Sequence, residues 1–158
     1  MHERMEFPKQ SIPGNQHMTD VHGRLYDVYR LIHEARALPI IEMSVPHLFD
    51  KIVDHSYWND RNKKSITIRE VCEALIVRDG RVDWSSTLRA HPNLAEHLQK
   101  IRDADYSYPI ILLQEYGIID GIHRLTKAHL DGALTIPTRQ FEHMPESAID
   151  ARKIQQHK

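Results

Sequence analysis

The sequence predicts one small α/β domain of the mixed, α+β class, on three observations. Apolar residues recur three and four apart over residues 24–38 and again over 92–104, the spacing of one helix face. Pro109-Ile110-Ile111-Leu112-Leu113 and then Ile118-Ile119 are continuous apolar runs of strand length. Asp120-Gly121 then leads directly from strand pattern into the helical spacing of Ile122, Leu125, Thr126 and His129.

Taken in order, residues 1–22 are polar, carry Pro8, Pro13 and Gly14, and read as a flexible N-terminal arm. Leu25, Val28, Leu31, Ile32 and Ala35 predict an amphipathic helix over 24–38, closed by Pro39. Ile40 to Val45 is short, rich in β-branched residues and bounded by prolines, which predicts a strand; Pro46 suits the first turn of a short helix through Ile52. Residues 54–64 read as a polar loop. Thr67 and Glu70 are spaced as a capping box for a helix whose continuation through Val77 fits helix or strand equally. Asp79-Gly80 is a turn signal, followed by a hairpin strand or plain loop at 81–84. Pro92 opens the next helix. Residues 109–113 and 118–120 predict a β-hairpin, 122–130 a helix with Gly132 just past its end, 134–141 a strand, and 145–156 a last polar helix. The expected organisation is thus an arm (1–22), one domain (23–144) and a C-terminal helix or tail (145–158).

Composition narrows the function classes. The chain has 158 residues, 41% hydrophobic and 27% charged, with a formal net charge of -1. No overall basic field exists to hold nucleic acid non-specifically. A single cysteine, Cys72, excludes a disulfide framework or an iron–sulfur cluster within one chain and fits a reducing cytoplasm. No apolar run approaches the roughly 20 residues that cross a bilayer, and no secretion signal opens the chain. Histidine is the outlier, at 12 residues. No two stand four apart on one helix face, however, and no His-x-His occurs, so spacing does not indicate a dedicated zinc site. His33, His47, His91 and His97 read as surface or capping residues, and His129 as a packing residue.

The stretch that carries chemistry is Ile118-Ile119-Asp120-Gly121-Ile122-His123-Arg124. Glycine at a strand-to-helix turn lets backbone approach a ligand, and the first helical N–H groups, unpaired within the helix, add partial positive charge. Arg124 and His123 supply donors for an anion, and Asp120 a carboxylate to hold Mg²⁺ or accept a proton. The competing reading is a plain turn with Asp120 as helix cap and Arg124 paired to a surface carboxylate. Tyr57-Trp58 reads equally as a base-stacking platform or as the apolar anchor of a polar loop, and Arg139 as a phosphate ligand or a solvent-facing edge residue.

With Tyr108-Pro109-Ile110-Ile111-Leu112, the Asp120 to Arg124 turn, and a helix ending at Gly132 before the strand 134–138, the chain resembles the ParB/sulfiredoxin-like superfamily. The likeness spans residues 38–141, is specific over 108–139, and is nearest to small bacterial ParB-like proteins. It implies a small mixed sheet with flanking helices, and nucleotide phosphates bound at Gly121, Ile122, His123 and Arg124; Arg139, read from its place on the following strand, is a further candidate contact. Sulfiredoxin carries a cysteine where this chain has Ile122, so its thiol chemistry is not implied. The turn of the partitioning protein, which binds CTP, matches at Gly121 and Arg124, and the helix-turn-helix that follows it there has no counterpart here. The turn of free serine kinase, Asp-Gly-His-His-Arg, matches at Asp120, Gly121, His123 and Arg124. That resemblance implies ATP or ADP with Mg²⁺ on Asp120, a small-molecule phosphate acceptor, and a catalytic set of Asp120, His123 and, by position, Glu42. A phosphotransferase needs these groups for positioning and charge neutralisation; a non-catalytic regulatory or DNA-associated module would need the same donors, and the sequence does not separate the two. No clustered carboxylates suggest a two-metal nuclease.

Overall fold

The computed structural model describes residues 18–21, 24–114 and 117–146. In chain order the strands are β1 (Met18–Val21), β2 (Arg24–Asp27), β3 (Ile41–Ser44), β4 (Trp58–Asn59), β5 (Ser65–Ile66), β6 (Val77–Arg78), β7 (Arg81–Val82), β8 (Ile110–Leu113), β9 (Gly117–Asp120) and β10 (Thr135–Phe141). The helices are α1 (Val28–Ala35), α2 (Val45–Ile52), α3 (Ile68–Glu73), α4 (Trp84–Ala90), α5 (Ala95–Asp103) and α6 (Ile122–Leu130). The architecture is mixed α and β, as the period changes predict. The described residues divide into two compact units, 18–41 with 109–121 and 138–146, and 42–108 with 122–137.

In the first unit, β8 pairs antiparallel with β9 and parallel with the 138–141 half of β10, which makes this a mixed sheet. All four residues of β8 are buried, which explains why it reads as an unbroken apolar run. Ile111 faces Asp120 while Leu112 faces Ile118, so Ile119 is the extra residue of a bulge that sets Asp120 at the strand's end. Leu31 of α1 packs with Tyr26, Ile111, Leu113, Ile119 and Phe141 in one buried cluster. Two expectations change here. Residues 18–21, placed in the arm for their polarity, form β1 and pair antiparallel with β2; residues 24–27, expected to open the first helix, form β2 itself. Asp27 decides the boundary: its carboxylate accepts from the N–H groups of Tyr29 (3.0 Å) and Arg30 (3.4 Å), so the helix starts one residue later.

In the second unit, Pro46 stands in the first turn of α2, as the sequence predicts, and Ser44, read there as strand, is its cap. The polar loop 54–64 contains β4, which pairs with β5. Thr67 and Glu70 form the predicted capping box: Thr67 N donates to Glu70 Oε1 (2.8 Å) and Glu70 N to Thr67 Oγ1 (3.0 Å). Thr67→Ala is expected to cost about 1 kcal/mol in urea unfolding, and an unchanged midpoint would remove the cap from the stability of α3. Residues left ambiguous between helix and strand end α3 at Glu73 and continue as β6, which turns at Asp79 (φ 53°) and Gly80 (φ 76°) into β7. The helix α4 has no apolar stripe to announce it. It is capped by Asp83, whose side chain accepts from Ser86 N (3.0 Å), and it is anchored by wholly buried Thr87, which accepts from Ile76 N (2.9 Å) and donates to Asp83 O (2.8 Å).

The helices α2 and α5 both pack on α6 around Leu98, Ile101, Leu125 and Ala128, which are fully buried. Lys127 Nζ donates to Arg102 O (2.6 Å), satisfying a carbonyl in the last turn of α5. His129 stacks on Phe49, with ring centroids 3.8 Å apart, in the packing role its spacing suggests. The predicted C-terminal helix lies largely outside the described residues. No helix among the described residues is long and apolar enough to cross a membrane.

Candidate functional site

The helix α6 begins directly after Gly121, whose φ of 112° suits glycine and few other residues, so this turn needs the glycine the sequence supplies. Asp120 ends β9 in the first unit, half-buried. There burial, with the charges of Asp120 and Asp27, pushes the Tyr29 hydroxyl above its ordinary pKa. Ile122, His123 and Arg124 open α6 in the second unit, all half-buried. Arg139 stands in the first unit, where its Nη1 donates to the carbonyls of Leu38 and Arg36, the latter at 3.4 Å, closing the end of α1. Glu42 is exposed on β3.

His123 has company that the sequence did not announce. The buried indole of Trp58, on β4, lies parallel to the His123 ring (centroids 4.4 Å, planes 6° apart) and to the His97 ring of α5 (4.8 Å, 12°). The two imidazole centroids are 5.4 Å apart. Rings on opposite faces of the indole would stand roughly 7 Å apart, twice the contact distance, so both imidazoles share one face.

They are also joined edge to edge. His97 Nδ1 and His123 Nε2 are 3.1 Å apart, and His97 Nε2 is 2.9 Å from the Asn59 carbonyl oxygen. A carbonyl only accepts, so a neutral His97 carries its proton on Nε2 and accepts at Nδ1; His123 therefore donates from Nε2 and keeps its lone pair on Nδ1. The bonds form one directed chain from His123 through His97 to Asn59.

Both rings are kept neutral. Burial, then the neighbouring His97, Lys100 and Arg124, lower the His123 pKa to about 3. Burial also lowers that of His97, against the opposing pull of the Asn59 carbonyl and Glu96. At neutral pH His123 is therefore a positioned, uncharged hydrogen-bonding group. The positive charge in the first turn of α6 belongs to Arg124 and the helix end.

His97 is the residue that reading by spacing assigns to the surface. It stands 26 residues from His123 and 38 from Asn59, and no local pattern marks such a contact. Trp58 resolves to the buried anchor, while Tyr57 beside it is exposed. Cys72 is half-buried and its thiol is pushed up to about 11 by burial, so it is a protonated packing group at neutral pH. Among the described residues, no three His, Cys, Asp or Glu side chains converge as a metal cluster. No protein-family model, curated protein or solved structure matches the chain.

Proposed function

We propose that the chain binds the phosphates of a purine nucleotide, ATP or ADP, with Mg²⁺, on the segment 120–124. The observation that carries this reading is a nine-residue helix opening immediately after a glycine at φ 112°, with Arg124 in its first turn. Helix N–H groups and a guanidinium fork are the donors a phosphate chain requires. Mg²⁺ commonly takes one or two carboxylates and fills its remaining positions with phosphate oxygens and water, and Asp120 supplies one carboxylate of that kind. When bound, the ion neutralises phosphate charge. In this reading His123 positions the first turn of α6 through its bond to His97 rather than contributing charge.

A kinase-like step, passing the terminal phosphate to a small-molecule acceptor, would add Glu42 as the base. The neutral His123, bonded to His97 through Nε2 and stacked on Trp58, favours the simpler alternative of the ParB-like resemblance, a binding module without transfer. Calorimetric titration with ATP, ADP and CTP, each with and without Mg²⁺, is expected to give heat with a purine nucleotide and Mg²⁺. Silence with all three on folded protein would overturn the reading. Arg124→Ala is expected to weaken binding by about 1.5–3 kcal/mol, roughly ten- to a hundredfold; an unchanged affinity would remove Arg124 from the site. Nucleotide binding without phosphate release or transfer would select the module over the kinase. A DNA-associated module would instead show a gel shift whose affinity falls steeply with salt.

A further inference from the structure

The second unit holds a cavity of about 360 Å³ between the 59–64 loop and the start of α5. That volume lies within the range of small-ligand sites, roughly 300 to 1,000 Å³. Asp60, Arg61, Lys63, Asn93, Glu96 and His97 are among its walls. Its charges are not equally available. The Asp60 carboxylate accepts from Asn62 N and Lys64 N (2.9 Å each) and from Asn93 Nδ2 (3.4 Å), which holds it below the usual carboxylate range. Glu96 is bridged by Lys100 at 3.1 Å. Among the described residues no carboxylate pairs with Arg61 or Lys63.

The loop that carries these two cations is pinned. Asp60 N donates to Lys64 O (2.8 Å), Lys63 N to Asp60 O (2.9 Å) and Arg61 N to Asn93 O (2.8 Å). Lys63 sits at φ 65°, a left-handed conformation in which glycine or asparagine is comfortable and lysine is not. A strained lysine on a rigid loop places a cation at the rim of a cavity whose acids are already engaged. His97 closes the wall with both ring nitrogens bonded, so that wall adds no charge.

We propose that this cavity is a binding site for a small anion, a phosphate monoester or a carboxylate, held by Arg61 and Lys63. Arg61 and Lys63, without an ion pair among the described residues, outnumber Asp60, the one carboxylate of the wall that no cation bridges, and a pinned loop is organised before the ligand arrives. The cavity shares no lining residue with the 120–124 segment, although His97 of its wall bonds His123, and the proposal does not depend on nucleotide binding there.

Amide NMR of the full chain, titrated with inorganic phosphate and, separately, with succinate, tests it, using chloride at matched ionic strength as control. Saturable shifts at Arg61, Lys63 and Asn93 are expected, and the tighter anion identifies the ligand class. The double variant Arg61→Gln, Lys63→Asn should raise the dissociation constant at least tenfold; asparagine tolerates the left-handed backbone, so the loop is kept. Shifts that chloride reproduces, that survive the double variant, or that fall only on residues 122–124 would overturn the proposal.

Discussion

Trp58→Ala is expected to lower the stability of the second unit by about 3–5 kcal/mol, as measured by urea unfolding. The indole is buried and is the common surface against which His97 and His123 lie, so its removal opens a cavity and wets two imidazoles at once. A second readout separates this role from ordinary core packing. Burial is the largest cause lowering both histidines, so their titration, followed by NMR in a folded variant, should move up toward 6.5. Trp58→Phe keeps a stacking face and should lose less stability and move the histidines less. A Trp58→Ala protein with full stability and unmoved histidines would show that the stack does not hold the pair neutral.

Acidification should destabilise the fold through His123. The folded value is depressed to about 3 against an ordinary 6.5. Above pH 6.5 the ring is neutral both folded and unfolded, and its contribution is complete. Below 6.5 the unfolded chain takes up a proton that the folded chain refuses, so stability falls by up to about 1.4 kcal/mol for each pH unit until the folded value is reached. His97 and His129 are also held below the ordinary value, chiefly by burial, and add to the loss, but the large depression is that of His123, which Lys100 and Arg124 deepen. His123→Gln, which retains a side-chain donor, should flatten unfolding free energy between pH 6.5 and 4 relative to the parent. An equally steep slope in the variant would assign the acid sensitivity to other groups.

Local chemistry makes several elements legible in the sequence. The capping box at Thr67-Glu70, Pro46 in a helix start, Asp79-Gly80 at a hairpin and Gly121 between β9 and α6 each answer to bonds or backbone angles within a few residues. The buried run of β8 was equally legible, because a strand covered on both faces has no polar residues to interrupt it. Where boundaries shifted, a short-range competitor won: Asp27 capped α1 later than the apolar spacing suggested, and Asp83 with buried Thr87 built α4 without an apolar stripe. The exchange at β1 and β2 had no such local cue.

By itself the sequence determined the mixed α and β class and the strand–glycine–helix turn with Arg124 behind it, since both follow from periodicity and from the conformational freedom of one residue. It also singled out His123 as a hydrogen-bond donor, without its charge state or its partners. Only the tertiary structure decided that His123 is neutral, because its protonation depends on burial under Trp58 and on a bond to His97, contacts between residues far apart in the chain. The engaged acids that leave Arg61 and Lys63 unpaired were decided there too, since Glu96 is bridged by Lys100 on α5 and Asp60 takes a donor 33 residues away. Charge that local spacing counts as balanced becomes available only when folding chooses the partners.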